Sequence, residues 1–535
     1  MLLINPTYRD YGGILKRYTP LSLPMSIGYL AGQMLSQGYD VRIYDEELRR
    51  IDESNIEDLI RGLPKPYVFG ISILTSQASR AYELSVFLKS RYPDSIVIVG
   101  GYHPTALPEE ALSFDTIDFV VRGEGERTIV VLYDAIRNRN KDFSNINGIS
   151  FRVNGEVKHM SDMPLITDLD TIPEFPYYLY TDLIKRVESE RKYEWGFIIS
   201  SRGCPYKCTY CSQRTMTGAT YRYNSIGRIL KELDILINQL GAKQIYFFDD
   251  NMTVNRKRVT ELCGAIYNSK LWEKCRFSMQ TRADNFHKDI VPKLKSAGFE
   301  AVGIGMEVGS DRLATLIQKG QTVRQQLEAV KLAKAHDMDV HLFMMFGFPT
   351  ETSRDRYEAF KMVKKLNPTL VKFNNLMPLP GTPIYQSLID SGRMNIKGYW
   401  ENFTSTLSEL GVSFTKRQPL PYVPETTSEW ELIRDIIRYN FLVFVRLDVI
   451  FDFFKSKLGA GMLKLDSDWS KHPREYYYLF KIGTKILMNF LVVMLPLWVT
   501  EPIMQLLIPR LQKRIPEENR TVFLPRSWSK EYRNK

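Results

Sequence analysis

Cys204, Cys208 and Cys211 stand in the stretch Ser201-Arg-Gly-Cys-Pro-Tyr-Lys-Cys-Thr-Tyr-Cys-Ser-Gln213, a C-x3-C-x2-C spacing. Three thiols this close are rarely an accident of packing. A four-iron cluster takes one thiolate per iron, so three cysteines on one loop leave one iron free to bind something else. A structural zinc site needs a fourth Cys or His at ligand spacing, and none follows. A disulfide framework needs an even count in a secreted chain, and this chain has five cysteines. The other two, Cys263 and Cys275, lie in helix-like and strand-like contexts and read as small buried apolar residues. So few cysteines, three of them clustered as thiolate ligands, point to a reducing cytoplasm. The opening Met1-Leu-Leu-Ile-Asn-Pro6 reads as a first strand and leaves no room for a charged leader followed by an apolar segment.

The elements that must position these thiols follow from length and periodicity. A chain of 535 residues holds about three domains, and 44% apolar with 25% charged residues is the composition of a folded protein. The net charge of +11 is not organised for nucleic acid, since no basic and aromatic residues interleave along one element of the first four hundred. Part of the excess gathers near the C-terminus, in Lys481, Lys485, Arg510, Lys513, Arg514 and Arg520, and suits an anionic surface.

Residues 1–140 carry five short apolar runs at 2–5, 41–44, 67–73, 96–100 and 119–122, with helical stretches between them. That rhythm predicts an α/β domain, a doubly wound, flavodoxin-like parallel sheet with its ligand at the carboxyl ends of the strands. Residues 141–190, with Pro164, Pro173 and Pro176, read as a hairpin and a linker. Residues 191–410 alternate six strands, at 196–201, 244–249, 276–280, 301–306, 339–346 and 370–375, with helices. They predict a partial (β/α)6 barrel with its chemistry at the carboxyl ends of its strands. Residues 411–535 read as a helical region. Leu432–Phe454 is apolar at helical spacing and is expected to pack over the barrel mouth. The run 486–499, broken by Asn489 and Pro496, falls short of a single span. It fits either a segment lying at the inner face of a membrane or a buried helical cap.

The cysteine stretch resembles the radical SAM enzymes closely. In that family the open iron chelates S-adenosylmethionine, and an electron from the 4Fe-4S cluster releases a 5′-deoxyadenosyl radical. The N-terminal loops Gly70-Ile-Ser-Ile-Leu-Thr-Ser-Gln77, Val99-Gly-Gly-Tyr-His-Pro-Thr105 and Val121-Arg-Gly-Glu-Gly-Glu126 resemble the cobalamin-binding domain that precedes the core in one large subgroup. That resemblance implies that Ser72, Thr75, Gly100, Gly101, Gly123 and Glu124 line the nucleotide-tail pocket or the corrin edge. No D-x-H-x-x-G loop is present, since no histidine precedes His103. The lower ligand of cobalt is then not a protein histidine, and His103 reads as a loop histidine satisfied by nearby backbone.

In the core, the resemblance puts Asp249 and Asp250 at the SAM amino group, where a carboxylate accepts charge-assisted bonds. It makes Gln280 and Arg282 candidates, Arg282 being suited to a carboxylate, and sets Glu307 and Ser310 toward ribose hydroxyls or the sulfonium. Phe346-Gly-Phe-Pro-Thr-Glu351 and Pro378-Leu-Pro-Gly-Thr-Pro383 would wrap adenine and the substrate side. The resemblance is to the branch that includes anaerobic magnesium-protoporphyrin cyclase and hopanoid methylases. It implies first a methyltransferase acting on an unactivated carbon of a hydrophobic small molecule such as a lipid, isoprenoid or tetrapyrrole. Cys211-Ser-Gln213 is similar to the cyclase branch, so oxidative cyclisation without methyl transfer is the second reading. A non-catalytic corrinoid or iron–sulfur sensor is the third. Either enzyme needs a cellular electron donor such as flavodoxin or ferredoxin.

Overall fold

The structure, a computed structural model, describes residues 1–7, 21–187, 193–406, 417–444, 484 and 487–512. The first sheet holds β1 (Leu2–Asn5), β2 (Arg42–Asp45), β3 (Val68–Ser72), β4 (Ile96–Gly100), β5 (Phe119–Val121), β6 (Ile149–Val153) and β7 (Glu156–His159). Their order is β2-β1-β3-β4-β5-β6-β7. The strands from β2 to β5 run parallel. Runs such as Leu2-Leu-Ile and Ile96-Val-Ile-Val are apolar on both faces because helices cover both. The reversal of strand order at β1/β3 opens a crevice at the carboxyl ends, the usual ligand site of a flavodoxin-like sheet.

Residues 141–190 are not merely a connector. β6 returns antiparallel to β5 and carries β7 with it, and Phe151 packs against Phe119 and Phe143. The expected hairpin is present, and the alternation that buries Ile149 and Phe151 ties it to the core of the first sheet. The following helix, Tyr177–Val187, is tied down by the Tyr180 hydroxyl, which donates to the Pro24 carbonyl at 2.8 Å.

The second sheet runs in sequence order: β8 (Phe197–Ile198), β9 (Gln244–Phe247), β10 (Arg276–Thr281), β11 (Phe299–Glu307), β12 (Asp339–Phe346) and β13 (Leu370–Asn375). All its pairings are parallel, and β8 and β13 are its edges, so the barrel is open. Buried residues alternate along β10 and β12, one face lying under the helices and the other turned to the barrel interior. β8 is shorter than its apolar run suggested because Ser201–Arg202 leaves the sheet to pair antiparallel with Arg222–Tyr223.

The helix Glu429–Phe444 lies along β13 rather than over the barrel mouth. Asn440 Oδ1 accepts from Phe373 N at 3.1 Å, and its Nδ2 donates to Phe373 O at 2.7 Å. An open barrel leaves backbone donors and acceptors bare at its last strand, and Asn440 of this helix satisfies those of Phe373. Residues 445–454 of the expected helix lie outside the described residues. Farther on, Leu487–Met494 and the segment from Leu497 are helices bent by 117° at their junction. Among the described residues no single helix is long and apolar enough to cross a membrane.

Candidate functional site

The cysteine loop is held from below by two adjacent aspartates with different duties. Asp249 is fully buried and accepts from Ser200 N at 2.7 Å, Ser200 Oγ at 2.6 Å and Ser201 Oγ at 2.5 Å. Three donors spend this carboxylate on the turn out of β8. Asp250 accepts from Gly203 N at 2.9 Å and faces the cavity between the two sheets. Burial pushes its carboxyl up to about 6. Gly203 sits at φ 87, and a Cβ there would fall 2.0 Å from Thr220 O, so only glycine admits the turn into Cys204.

Cys208 is buried, Cys204 and Cys211 partly so. Burial raises the Cys204 thiol and pushes that of Cys211 up to about 11. Among the described residues no three His, Cys, Asp or Glu side chains gather around a single ion. A cluster with one thiolate per iron does not ask that of its ligands. Arg282 Nη1 donates to Cys208 Sγ at 3.4 Å, and its Nη2 donates to Lys319 O at 2.6 Å. The same guanidinium pairs with Asp284 at 3.0 Å and lies over the Tyr206 ring, 3.5 Å from its centroid. A cation beside a thiolate loop suits a group whose ligands must all be deprotonated.

At the next strand ends, Gln280 Nε2 donates to the Asp249 carbonyl at 2.9 Å, which aims the side chain at the cavity. Glu307 stands at φ 65, where a bulge interrupts the β11–β12 pairing, and Lys319 Nζ is 3.2 Å from its Oε1. Ser310 Oγ accepts from Leu313 N at 3.4 Å and so caps the helix Asp311–Leu316. Of the carboxyl-end residues singled out in the core, Asp250 and Gln280 reach the cavity. Arg282 and Glu307 gather at the cysteine loop, and Asp249 and Ser310 hold backbone.

That cavity, about 640 Å³, lies between the carboxyl ends of the two sheets. Ser72, Gly100, Gly101, Gly123 and Glu124 line it from the first sheet; Arg202, Gln213, Asp250 and Gln280 line it from the second. Gly101 has φ 98 and a Cβ there would stand 2.8 Å from Ile73 O, so a side chain would push β3 and β4 apart. Gly123 has φ 68 and open space where its Cβ would be. Bare backbone at these strand ends suits the close approach of a large flat ligand such as a corrin.

Thr75 is buried at the start of the turn Thr75–Gln77, and its neighbours Leu74 and Gln77 line the cavity. Glu124 borders the cavity, but both its oxygens are taken by Arg222 and Arg202. Burial alone would raise this carboxyl; Arg222 and Arg202 outweigh it and hold it below its ordinary value. His103 is fully buried, its Nε2 3.2 Å from the Tyr82 hydroxyl, behind the cavity wall. Its partner there is a side chain rather than backbone. Cys263 and Cys275 are buried apolar residues, as read.

Sequence reasoning passed over Arg202, Arg222, Lys319 and Tyr102, whose hydroxyl donates to Gln213 Oε1 at 2.5 Å across the domain boundary. Arg202 adjoins the cysteine motif and was visible as a charge beside it. Tyr102 stands inside the glycine loop 99–105, and nothing local marks Arg222 or Lys319.

The Radical SAM superfamily matches residues 198–363 and the B12 binding domain family matches residues 14–132. An uncharacterized methyltransferase of Pyrococcus horikoshii is 32% identical over 384 residues, 71% of this chain and 82% of that protein. The anaerobic magnesium-protoporphyrin IX monomethyl ester cyclase of Rubrivivax gelatinosus is 27% identical over 403 residues, 73% of this chain and 70% of that protein. Among solved structures, the cobalamin-dependent S-adenosylmethionine radical enzyme OxsB superposes with a TM-score of 0.65 at 18% identity, covering 91% of this chain and 83% of that one.

Proposed function

The chain belongs to the radical SAM enzymes that carry an N-terminal B12-binding domain, and from that premise we propose that it methylates an unactivated carbon of a hydrophobic small molecule. The observation that carries this reading is the cavity shared by the two sheets, into which the glycine loops of one and Asp250 and Gln280 of the other both face. When bound, the cluster and S-adenosylmethionine supply a 5′-deoxyadenosyl radical and cobalamin carries the methyl group.

The chain's own part is to bind, orient and exclude water. Cys204, Cys208 and Cys211 would hold the cluster, with Arg282 set beside Cys208. Asp250 is the ammonium acceptor of choice, since Asp249 is already spent on Ser200 and Ser201. Gln280 is locked by Tyr246, whose hydroxyl donates to Oε1 at 3.1 Å, and can present its remaining N–H to a ligand. Ser72, Gly100, Gly101 and Gly123 would receive the corrin side. Leu21, Leu23, Met25, Leu74, Met216 and Phe248 give the same cavity apolar walls, which favours a hydrophobic substrate and keeps a reactive radical from water.

The test is methyl-labelled S-adenosylmethionine with anaerobically reduced enzyme and extracts of cells lacking the chain. Label carried into a new product supports methyl transfer. An oxidised product without label would move the reading to cyclisation, the activity named for the Rubrivivax relative. Cys204→Ala should abolish 5′-deoxyadenosine formation; wild type that forms none would be a sensor rather than an enzyme.

The reading puts the chain in the cytoplasm, supplied with electrons by a flavodoxin or ferredoxin, at the inner face of the membrane. Leu487, Met488, Leu491, Trp498 and Ile503 are more than half exposed on the bent helices, Trp498 at 79%. Lys481, Lys485, Arg510, Lys513 and Arg514 flank them in sequence, the pattern of an interfacial anchor. Sedimentation with anionic but not neutral vesicles, lost in Trp498→Ser, is the expected result; no sedimentation with either would sink the membrane contact.

A further inference from the structure

Four charges at or just behind the cavity wall, three of them buried and Arg202 partly so, have no part in the chemistry above. Glu124 and Glu126 come from the B12-binding domain, at the start of the helix Gly125–Arg137. Arg202 and Arg222 come from the short antiparallel pair in the radical SAM domain. Arg222 Nη1 donates to Glu124 Oε2 at 2.7 Å and Nη2 to Oε1 at 2.8 Å, a fork on a carboxylate. Arg202 Nη1 reaches Glu124 Oε1 at 3.3 Å and Nη2 reaches Glu126 Oε1 at 2.7 Å. The Arg202 guanidinium also lies 5.1 Å from the centroid of the Tyr29 ring. The Glu124 side chain is 7% exposed and that of Arg222 4%.

Stability does not account for the arrangement. A buried ion pair is often no more stabilising than apolar side chains of the same volume, because both ions must first be stripped of water. What the fork adds is direction: two parallel bonds fix the carboxylate in the guanidinium plane, which a point charge or an apolar contact cannot do. The positions of the four residues say what is being directed. Glu124 directly follows Gly123, whose N–H donates to Thr105 Oγ1 at 3.1 Å within the glycine loops. Arg202 directly precedes Gly203, held by Asp250, and then Cys204. The ion cluster therefore joins Glu124, next to Gly123 in the glycine loop, to Arg202, two residues before Cys204 in the cysteine stretch. Chemistry between groups held by the two loops is sensitive to misplacement on the order of 1 Å.

We propose that Glu124 is a positioning residue: through Arg222 and Arg202 it fastens the cysteine loop to the B12-binding domain and fixes the separation between cobalt and the iron–sulfur cluster. The inference rests on the reading that both cofactors bind as described above, and its test separates the two. Full-length wild type, Glu124→Gln and Arg222→Lys are loaded with both cofactors, and iron, sulfide and cobalamin are counted in each. Pulsed EPR then measures the magnetic dipolar coupling between cob(II)alamin and the one-electron-reduced cluster.

The expected result is one narrow coupling in wild type, a broadened and weakened one in Glu124→Gln, and an intermediate one in Arg222→Lys, which keeps the charge but loses the fork. Cofactor content should match wild type in both variants. The same narrow coupling in the variants would overturn the positioning role. Should Glu124→Gln fail to fold, Arg222→Lys decides by the same criterion. Wild type that retains neither cofactor would defeat the functional reading instead, before any comparison is made.

Discussion

At the scale of single residues, Arg282 is where the structure departs most usefully from expectation. Its side chain reads as suited to a carboxylate, and Asp284, Lys319 O and Cys208 Sγ take four of its five N–H donors. With Cys208 in its proposed role as a cluster ligand, a donor to its sulfur that carries a full positive charge would stabilise the reduced and more negative cluster and raise its potential. Arg282→Gln should therefore shift the cluster midpoint to more negative potential, with Arg282→Lys recovering part of the shift, in an EPR-monitored redox titration. An unchanged midpoint in a fully loaded Gln variant would return Arg282 to the carboxylate role. The type and spacing of the cysteines were legible because all three sit on one loop. The roles of Asp249 and Asp250 were not, since adjacent carboxylates in a strand-to-loop turn point to opposite sides, one into the support and one into the cavity.

Among the elements, the strands were legible to within one or two residues at each end, except β8, where the run 196–201 yields only Phe197–Ile198. β4 and β12 follow from uninterrupted apolar runs or strict alternation, and neither pattern needs a partner to be seen. The helix Glu429–Phe444 was legible as a helix but not as cover for β13, because its apolar stripe fits a barrel edge as well as a barrel mouth. Its neighbour, the loop after β12, carries a pH-sensitive group. Glu351 is 2% exposed and accepts from Gly347 N, and burial pushes its carboxyl up to about 8. Its pKa is raised on folding, so between about 4.3 and 8 the unfolded chain holds fewer protons at this site than the folded one. The stability it contributes is present below that window and lost as pH rises through 8. Glu351→Gln, neutral throughout, should gain in melting temperature over wild type as pH rises from about 4 to 8.5, with the smallest difference at the acid end. A constant offset in scanning fluorimetry would show that Glu351 does not titrate there.

For the whole molecule, the contact between the two sheets is polar and specific at points far apart. Trp400 Nε1 donates to Glu110 Oε1 at 2.6 Å, and the Tyr82 hydroxyl lies 3.3 Å from the same oxygen. Trp400→Phe keeps the aromatic bulk and removes one donor from a buried carboxyl, which costs about 1–3 kcal/mol. A lower midpoint in denaturant with an unchanged slope is expected; an unchanged midpoint would mean that this contact does not hold the domains together. Residues 141–190 belong to this scale too, for the hairpin expected within them forms at Ile149–Val153 and Glu156–His159 and extends the first sheet.

By itself the sequence determined the cysteine loop, the glycine loops and the succession of strands. Each is a local pattern whose meaning survives any packing: ligands a few residues apart stay close, and a strand's periodicity is its own. Only the tertiary structure decided that the carboxylate of Glu124, at the edge of the cavity, pairs with arginines 78 and 98 residues away. The partner of a buried charge depends on where the chain returns in space, and no spacing along the chain encodes that return.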